Sequence, residues 1–300
     1  MKVGVIGLGS MGMGAALNLQ QAGHAVMGCD TRPEAWAELQ TAGGQGVATP
    51  AEIGACDAVI VFVVNAAQAE AVLFGDTGCI GVLAPGAVVL CCTTVAPAAA
   101  RILGEKIASA GHLFLDAPVS GGAVGARGGQ MTVMAAGSPE AFTAAEPVLQ
   151  AISGKVWQLG DAPGVGSTVK MVNQLLAGVH IATAAEALAL GIRAGADPQT
   201  LYDVICSSAG SSWMWQNRVP HILAGDDTPL SSVNIFVKDL GIVLDQARAL
   251  TFPLPMASAA HQLFLAASAA GHGARDDAFV IRVWQALAGI DLPGEPTSEG

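Results

Sequence analysis

Charge is scarce in this sequence and aromatic side chains are scarcer: 12% of the residues are charged and 5% aromatic, with a single tyrosine. No basic run exists, and 24 Asp and Glu against 13 Lys and Arg give a formal net charge of −11 at pH 7. That sign repels a phosphate backbone and an anionic bilayer surface, so neither nucleic acid nor membrane is an expected partner. The six cysteines (Cys29, Cys56, Cys79, Cys91, Cys92, Cys206) include no CxxC pair. They read as buried apolar thiols of a reducing compartment, which makes the cytoplasm the expected location. His24, His112, His180, His221, His261 and His272 form no close-spaced set and no HExxH occurs, so no metal is expected and metal-assisted hydride transfer is disfavoured. The apolar start would resemble a signal peptide, but Gly4, Gly7, Gly9, Gly12 and Gly14 break its core. No apolar stretch of about 18 residues is free of polar interruption, since the one after Ser167 carries Lys170, Asn173, Gln174, His180 and Glu186.

What is abundant is hydrophobic residues, 52% of 300, and glycine, with 38. A chain of this length and texture folds and fits two domains with a core in each. Residues 3–6 form a β-rich run ending in a glycine turn, and 14–22 read as a helix closed near Gly23. Apolar runs at 25–29, 58–64 and 87–92 suit a parallel sheet covered on both faces. Further strands are expected at 113–115, 131–135 and 156–159, with a helix over 139–152, and the sheet ends near Gly160. Past the linker-like Asp161, Pro163, Gly164 and Gly166 the pattern is helical from Ser167 to Gly195, then over 198–209, 234–250, 255–270 and 276–287. The expectation is an α/β N-terminal domain with a doubly wound sheet, residues 1–163, and an all-α C-terminal domain, 164–300, joined by a long interdomain helix. The Ala- and Gly-rich long helix and the apolar helices after it suggest a homo-oligomer, a dimer or tetramer. The tail after Pro293 is expected to fray.

Gly7-Leu8-Gly9-Ser10-Met11-Gly12 is a G-x-G-x-x-G between an expected strand and an expected helix, the setting in which this motif binds a dinucleotide in a Rossmann-type domain. Gly7 permits the tight turn, Gly9 lets the backbone approach the pyrophosphate, and Gly12 lets helix and strand pack closely. The helix N-terminus then offers free N–H groups to negative charge. Asp30, eighteen residues past Gly12 at the end of the second strand, is placed to accept hydrogen bonds from both ribose hydroxyls and would repel a 2′-phosphate. Arg32 could instead serve that phosphate, so NAD is expected and NADP is the alternative. Val64-Asn65 and Thr93-Thr94 follow apolar strands; by themselves they are ordinary turn residues, and beside the fingerprint they become cofactor contacts.

Asp116-Ala117-Pro118-Val119-Ser120-Gly121-Gly122 follows a strand and offers a hydroxyl with several free N–H groups, chemistry that suits a carboxylate, although such a run is more often a plain turn. Lys170, one of five lysines, sits among Val169, Met171 and Val172 near the start of the long helix, with Asn173 and Gln174 three and four residues on. A lysine on a helix usually snorkels to solvent. A partly buried one acts as general acid–base for a hydroxyl or carbonyl, since burial disfavours its charged form. Lys238, in Asn234-Ile235-Phe236-Val237-Lys238-Asp239-Leu240, is set among apolar residues too and either reaches the cofactor or makes a surface pair with Asp239. Trp213 and Trp215 either line a cleft or pack in the core.

The fingerprint Gly7–Gly12, the segment 116–122, the stretch from Gly160 through Lys170 and the segment 236–240 together resemble the β-hydroxyacid dehydrogenases, which include 3-hydroxyisobutyrate dehydrogenase and tartronate semialdehyde reductase. The four motifs occur in order and span most of the chain. The resemblance implies NAD-dependent oxidation of a small hydroxy acid, with Lys170 as the catalytic residue and Ser120, Gly121 and Gly122 as the substrate-carboxylate site. It also makes Thr94 and Lys238 cofactor neighbours. Residues 9–16, 63–68 and 174–182 are most similar to the L-threonate-oxidising branch, which implies conversion of L-threonate to 2-dehydro-L-erythronate; 3-hydroxyisobutyrate or D-glycerate is the alternative substrate, and a non-catalytic NADH sensor a more distant reading. Many relatives carry asparagine four residues after the lysine where this chain has Gln174, which leaves Asn173 or Gln174 as the substrate contact.

Overall fold

The structure, a computed structural model, describes residues 1–293, so the expected fraying after Pro293 lies outside the described residues. The chain divides into two compact units, one ending at Lys170 and the other starting at Met171.

The first unit runs β1 (Lys2–Ile6), α1 (Ser10–Gln21), β2 (Ala25–Cys29), α2 (Pro33–Thr41), β3 (Gln45–Val47), β4 (Ala58–Val61), α3 (Ala66–Phe74), β5 (Val88–Cys91), α4 (Pro97–Ser109) and β6 (Leu113–Asp116). It continues with β7 (Val119–Ser120), α5 (Gly122–Arg127), β8 (Met131–Ala135), α6 (Pro139–Ile152), β9 (Ser153–Gln158) and the first turns of α7 (Val165–Arg193). The six-stranded sheet is parallel in the order β3-β2-β1-β4-β5-β6, with the order reversing between β1 and β4. Alternate residues of its central strands enter two separate cores, as the period of two in a strand requires. Val3, Val5, Ala58, Ile60, Val88 and Leu90 pack with α1 and α6, whereas Ile6, Val59, Val61, Val89 and Cys91 pack with α3 and α4. Both faces are therefore covered, which is why these strands read as unbroken apolar runs.

Two expectations need correction. The strands near 131 and 156 do not extend the main sheet; with β7 they make a second, three-stranded sheet, β7-β8-β9, in which β7 is antiparallel. The main sheet stops at β6, where Asp116 exchanges backbone hydrogen bonds with Ala136 at 3.0 and 2.9 Å and the chain turns away. Helix α1 also starts at Ser10, four residues before the expected position, because Gly12 and Gly14 are packing positions inside it.

The second unit holds the remainder of α7, then α8 (Pro198–Cys206), α9 (Trp213–Ala224), α10 (Val233–Ala249), α11 (Pro255–Ala267) and α12 (Arg282–Ala288). Its core gathers Ile181, Leu188, Trp215, Val219, Phe236, Leu240 and Phe264. Helix α9 escaped the sequence reading because Pro220 lies inside it. Trp215 belongs to the core and Trp213 is exposed. By length and composition α7 would cross a membrane, with a mean hydropathy of 1.7 in its most apolar window. Its Ala177, Ile181, Ala182, Ala185 and Leu188 enter the protein core, which accounts for that composition without a bilayer.

Candidate active site

The register of the parallel sheet lines up Cys29, Ile6, Val61, Cys91 and Asp116 across neighbouring strands at their C-terminal ends. The segments that follow therefore emerge along one edge: the glycine turn after Ile6, Asp30 after Cys29, Val64-Asn65 beyond Val61, Thr93-Thr94 beyond Cys91, and the run to Ser120 after Asp116. In open α/β sheets this carboxyl edge, at the point where strand order reverses, is where ligands bind.

The glycine turn has the form a dinucleotide needs. Gly7 has φ +92°, a conformation that favours glycine, and a side chain on Gly12 would strike the Gly7 carbonyl oxygen. A Cβ on Gly9 would meet nothing within 4 Å, so open space lies over that backbone. Gly9 caps α1 without a side-chain hydrogen bond, leaving the first N–H groups of the helix for an anion. The Leu8 N–H donates to Asp30 Oδ2 at 2.8 Å, tying the turn to the end of β2. Arg32 donates through its backbone N–H and Nε to Asp30 Oδ1, at 2.9 and 3.1 Å. Burial works to raise the Asp30 pKa, but the hydrogen bonds from Arg32 and Leu8 outweigh it and hold the carboxyl below the ordinary value. These residues fit a nicotinamide dinucleotide, with Asp30 ionised beside the turn.

Other expected contacts have structural tasks as well. Asn65 caps α3 by accepting from Gln68 N at 2.9 Å, while Gln68 Oε1 accepts from Val64 N at 2.8 Å. Thr93 is buried and donates to Val61 O at 3.3 Å; Thr94 is half-buried at the same edge. Ser120 ends β7 opposite Thr132, and Gly121 and Gly122, with φ +129° and +61°, open α5 without a side-chain cap. Burial pushes the Cys29, Cys79 and Cys91 thiols up to about 12, which removes them as nucleophiles.

Lys170 is 7% exposed, far from the behaviour of a snorkelling lysine. It lies one turn after Ser167, whose hydroxyl donates to Asp116 Oδ1 at 2.6 Å. In the second unit Gln174 is buried and donates through Nε2 to Asp239 Oδ2 at 2.6 Å, while its Oε1 accepts from Asn173 at 3.0 Å. Lys238 pairs with Asp239 at 2.5 Å, but Asp239 is buried, so the surface pair considered from the sequence is not what forms. Sequence reading missed Ser167 and Asp239; a serine one turn before the lysine was visible, but its partner 51 residues upstream was not. Among the described residues no cluster of three or more His, Cys, Asp or Glu could hold a metal ion.

Both parts of the chain match known protein families. Residues 2–160 match the NAD binding domain of 6-phosphogluconate dehydrogenase, and residues 164–284 match the NAD-binding domain of NADP-dependent 3-hydroxyisobutyrate dehydrogenase. L-threonate dehydrogenase of Cupriavidus necator is 58% identical over 98% of both chains. The chain belongs to the β-hydroxyacid dehydrogenase family. A second relative, L-threonate dehydrogenase of Escherichia coli K12, is 52% identical over 97% of this chain and 96% of its own. The crystal structure of 3-hydroxyisobutyrate dehydrogenase from Salmonella typhimurium is 50% identical, with a TM-score of 0.90 over 94% of this chain and 99% of its own. This member of the family is thus an oxidoreductase that acts on a small hydroxy acid with a nicotinamide cofactor.

Proposed function

We propose that this enzyme oxidises L-threonate at C2 to 2-dehydro-L-erythronate, with residues 1–163 as the NAD domain and 164–300 as the substrate and oligomerisation domain. The substrate assignment is carried by the 58% identity to L-threonate dehydrogenase over 98% of both chains. Bound NAD supplies the hydride acceptor for the hydrogen on C2. Ser120 and the N–H groups of Gly121 and Gly122 hold the substrate carboxylate. Lys170 takes the C2 hydroxyl proton as the carbonyl forms, and returns one in the reverse direction. Asn173 orients the substrate, since both ends of the Gln174 amide are already engaged by Asn173 and Asp239. Leu8, Ser10, Met11, Val64, Asn65 and Thr94 border the cofactor with the three fingerprint glycines, Lys238 serves as a further cofactor contact, and Asp30 selects NAD through the ribose hydroxyls. The half-exposed apolar side chains of α7, Val169, Val172 and Leu176, support a homo-oligomer, which sedimentation equilibrium tests.

The second reading is 3-hydroxyisobutyrate as substrate, favoured by the Salmonella protein at 50% identity. Steady-state kinetics with L-threonate, 3-hydroxyisobutyrate and D-glycerate, each with NAD and NADP, decide between them. The expected result is the highest kcat/KM for L-threonate with NAD; a clear preference for another acid overturns the assignment. Lys170→Ala should lower kcat by about 10²–10⁴-fold with NADH binding retained. Near-normal turnover in that variant removes the lysine from the chemistry.

A further inference from the structure

Most helices in this chain that have a side-chain cap take it from the residue just before the first turn: Asn65 for α3, Ser138 for α6, Asp197 for α8 and Ser212 for α9. Helix α7 is different. The residue before it is Gly164, which has no side chain, and the cap comes from Asp116, 48 and 51 residues upstream. Asp116 Oδ2 accepts from the N–H groups of Gly164 and Ser167, both at 2.8 Å, and Oδ1 accepts from Ser167 Oγ at 2.6 Å. A cap taken from the preceding residue fixes a helix only to its adjoining segment. One taken from the end of a central-sheet strand fixes it to the sheet.

We propose that Asp116 is a positioning residue for the reaction, holding Lys170 in register with the substrate-carboxylate turn by locking the first turn of α7 to the end of β6. The inference rests on the reading of Lys170 as the proton acceptor. The anchor itself does not move freely: the Asp116 backbone is bound in both directions to Ala136, and the next N–H, of Ala117, donates to Cys91 O at 3.0 Å. Gly166 has no room for a side chain, because a Cβ would press on the Met134 and Asp116 carbonyl oxygens, so the turn lies flat against the strand ends. Ser167 and Lys170 are both buried and three residues apart, which puts them on one helix face. From the other end of the same anchor, only Ala117, Pro118 and Val119 separate Asp116 from Ser120. One buried carboxylate therefore sets the starting points of both the amine and the carboxylate turn. Burial pushes the Asp116 carboxyl up, against the Ser167 hydroxyl and the amides of Ser167, Gly164 and Gly166, which draw it down.

Asp116→Asn and Ser167→Ala test the proposal in the full-length enzyme, with the best substrate of the panel above. The serine variant deletes only the Oγ–Oδ1 hydrogen bond and serves as the decisive one where the asparagine variant does not fold. In folded protein, kcat should fall by about 10- to 100-fold with KM changed much less, since small misplacements of a reacting group cost rates of this order. The primary deuterium isotope effect with C2-deuterated substrate should rise as proton and hydride transfer become limiting. NADH affinity should stay within twofold, and hydrogen exchange in the cofactor-free protein should speed up at the Gly164 and Ser167 amides while β6 is unchanged. A kcat within twofold of wild type in the folded variants overturns the proposal, as does a parallel loss of NADH binding, which marks general damage. Lys170→Ala run alongside separates the two levels: normal turnover in it removes the lysine role and this inference together. An inactive Lys170→Ala beside fully active Asp116→Asn and Ser167→Ala removes the positioning alone.

Discussion

Asp30 answers to two sets of donors, the Leu8 amide of the glycine turn and the Arg32 side chain, and both favour its ionised form. In the proposed reading, a carboxylate kept charged at that place accepts ribose hydroxyls and opposes a 2′-phosphate. Asp30→Ser should therefore lower the kcat/KM preference for NAD over NADP by about 10- to 100-fold, equivalent to losing one charge-assisted hydrogen bond of about 1.5–3 kcal/mol. An unchanged ratio would place the discrimination elsewhere. Single residues whose chemistry is unusual for their surroundings were readable from sequence: Asp30 at a strand end, and a lysine flanked by valines and methionine. Gln174 was named but not resolved, because its partner Asp239 is 65 positions away and only the fold shows that its amide is already engaged.

At the scale of elements, the glycines of α1 misled in an instructive way. The sequence reads as a glycine turn followed by a helix from Gly14, and glycine inside a helix costs about 1 kcal/mol against alanine. The structure runs the helix from Ser10 through both glycines, because a Cβ on Gly14 would meet the Ala126 and Arg127 backbone of α5. Close packing of one helix on another outweighs propensity, and no local signal carries that. Gly14→Ala should destabilise the protein despite the better helix former, by a net of up to about 2 kcal/mol once overpacking of roughly 1–3 kcal/mol is set against the propensity gain of about 1 kcal/mol, because the atoms it meets are backbone. Thermal unfolding measures it; a raised Tm would mean that α5 yields without cost. The second sheet was misassigned for a related reason: β8 has the composition of a core strand, but its register partners are β7 and the largely exposed β9, not a strand of the main sheet.

For the molecule as a whole, the texture change near Gly160 was visible in composition, whereas the polar interior of the helical unit was not. There Arg218 donates through Nε to Asp277 Oδ1 at 2.6 Å, both residues buried, and Asp276 beside them is buried too. These charges lie 59 positions apart in a sequence that shows only a loop and a helix end. Burial raises the Asp277 pKa to about 6, against the pull of the Arg218 charge and hydrogen bond. A carboxyl whose pKa is raised on folding binds its proton more tightly in the native state. Its contribution to stability is therefore full below the unfolded pKa and declines as pH rises through the folded one. Arg218→Met removes the lowering influence, so the folded pKa moves further up and the decline reaches to higher pH. At pH 7.5 the substitution should cost about 3–5 kcal/mol, the range for a buried charge deprived of its partner. Near pH 4.5 Asp277 is protonated in the variant and the cost should shrink to that of the lost hydrogen bonds. Chemical denaturation of both proteins at the two pH values measures the difference; an equal cost at both would show that Asp277 holds no proton in either folded form, and that another group keeps its charge compensated.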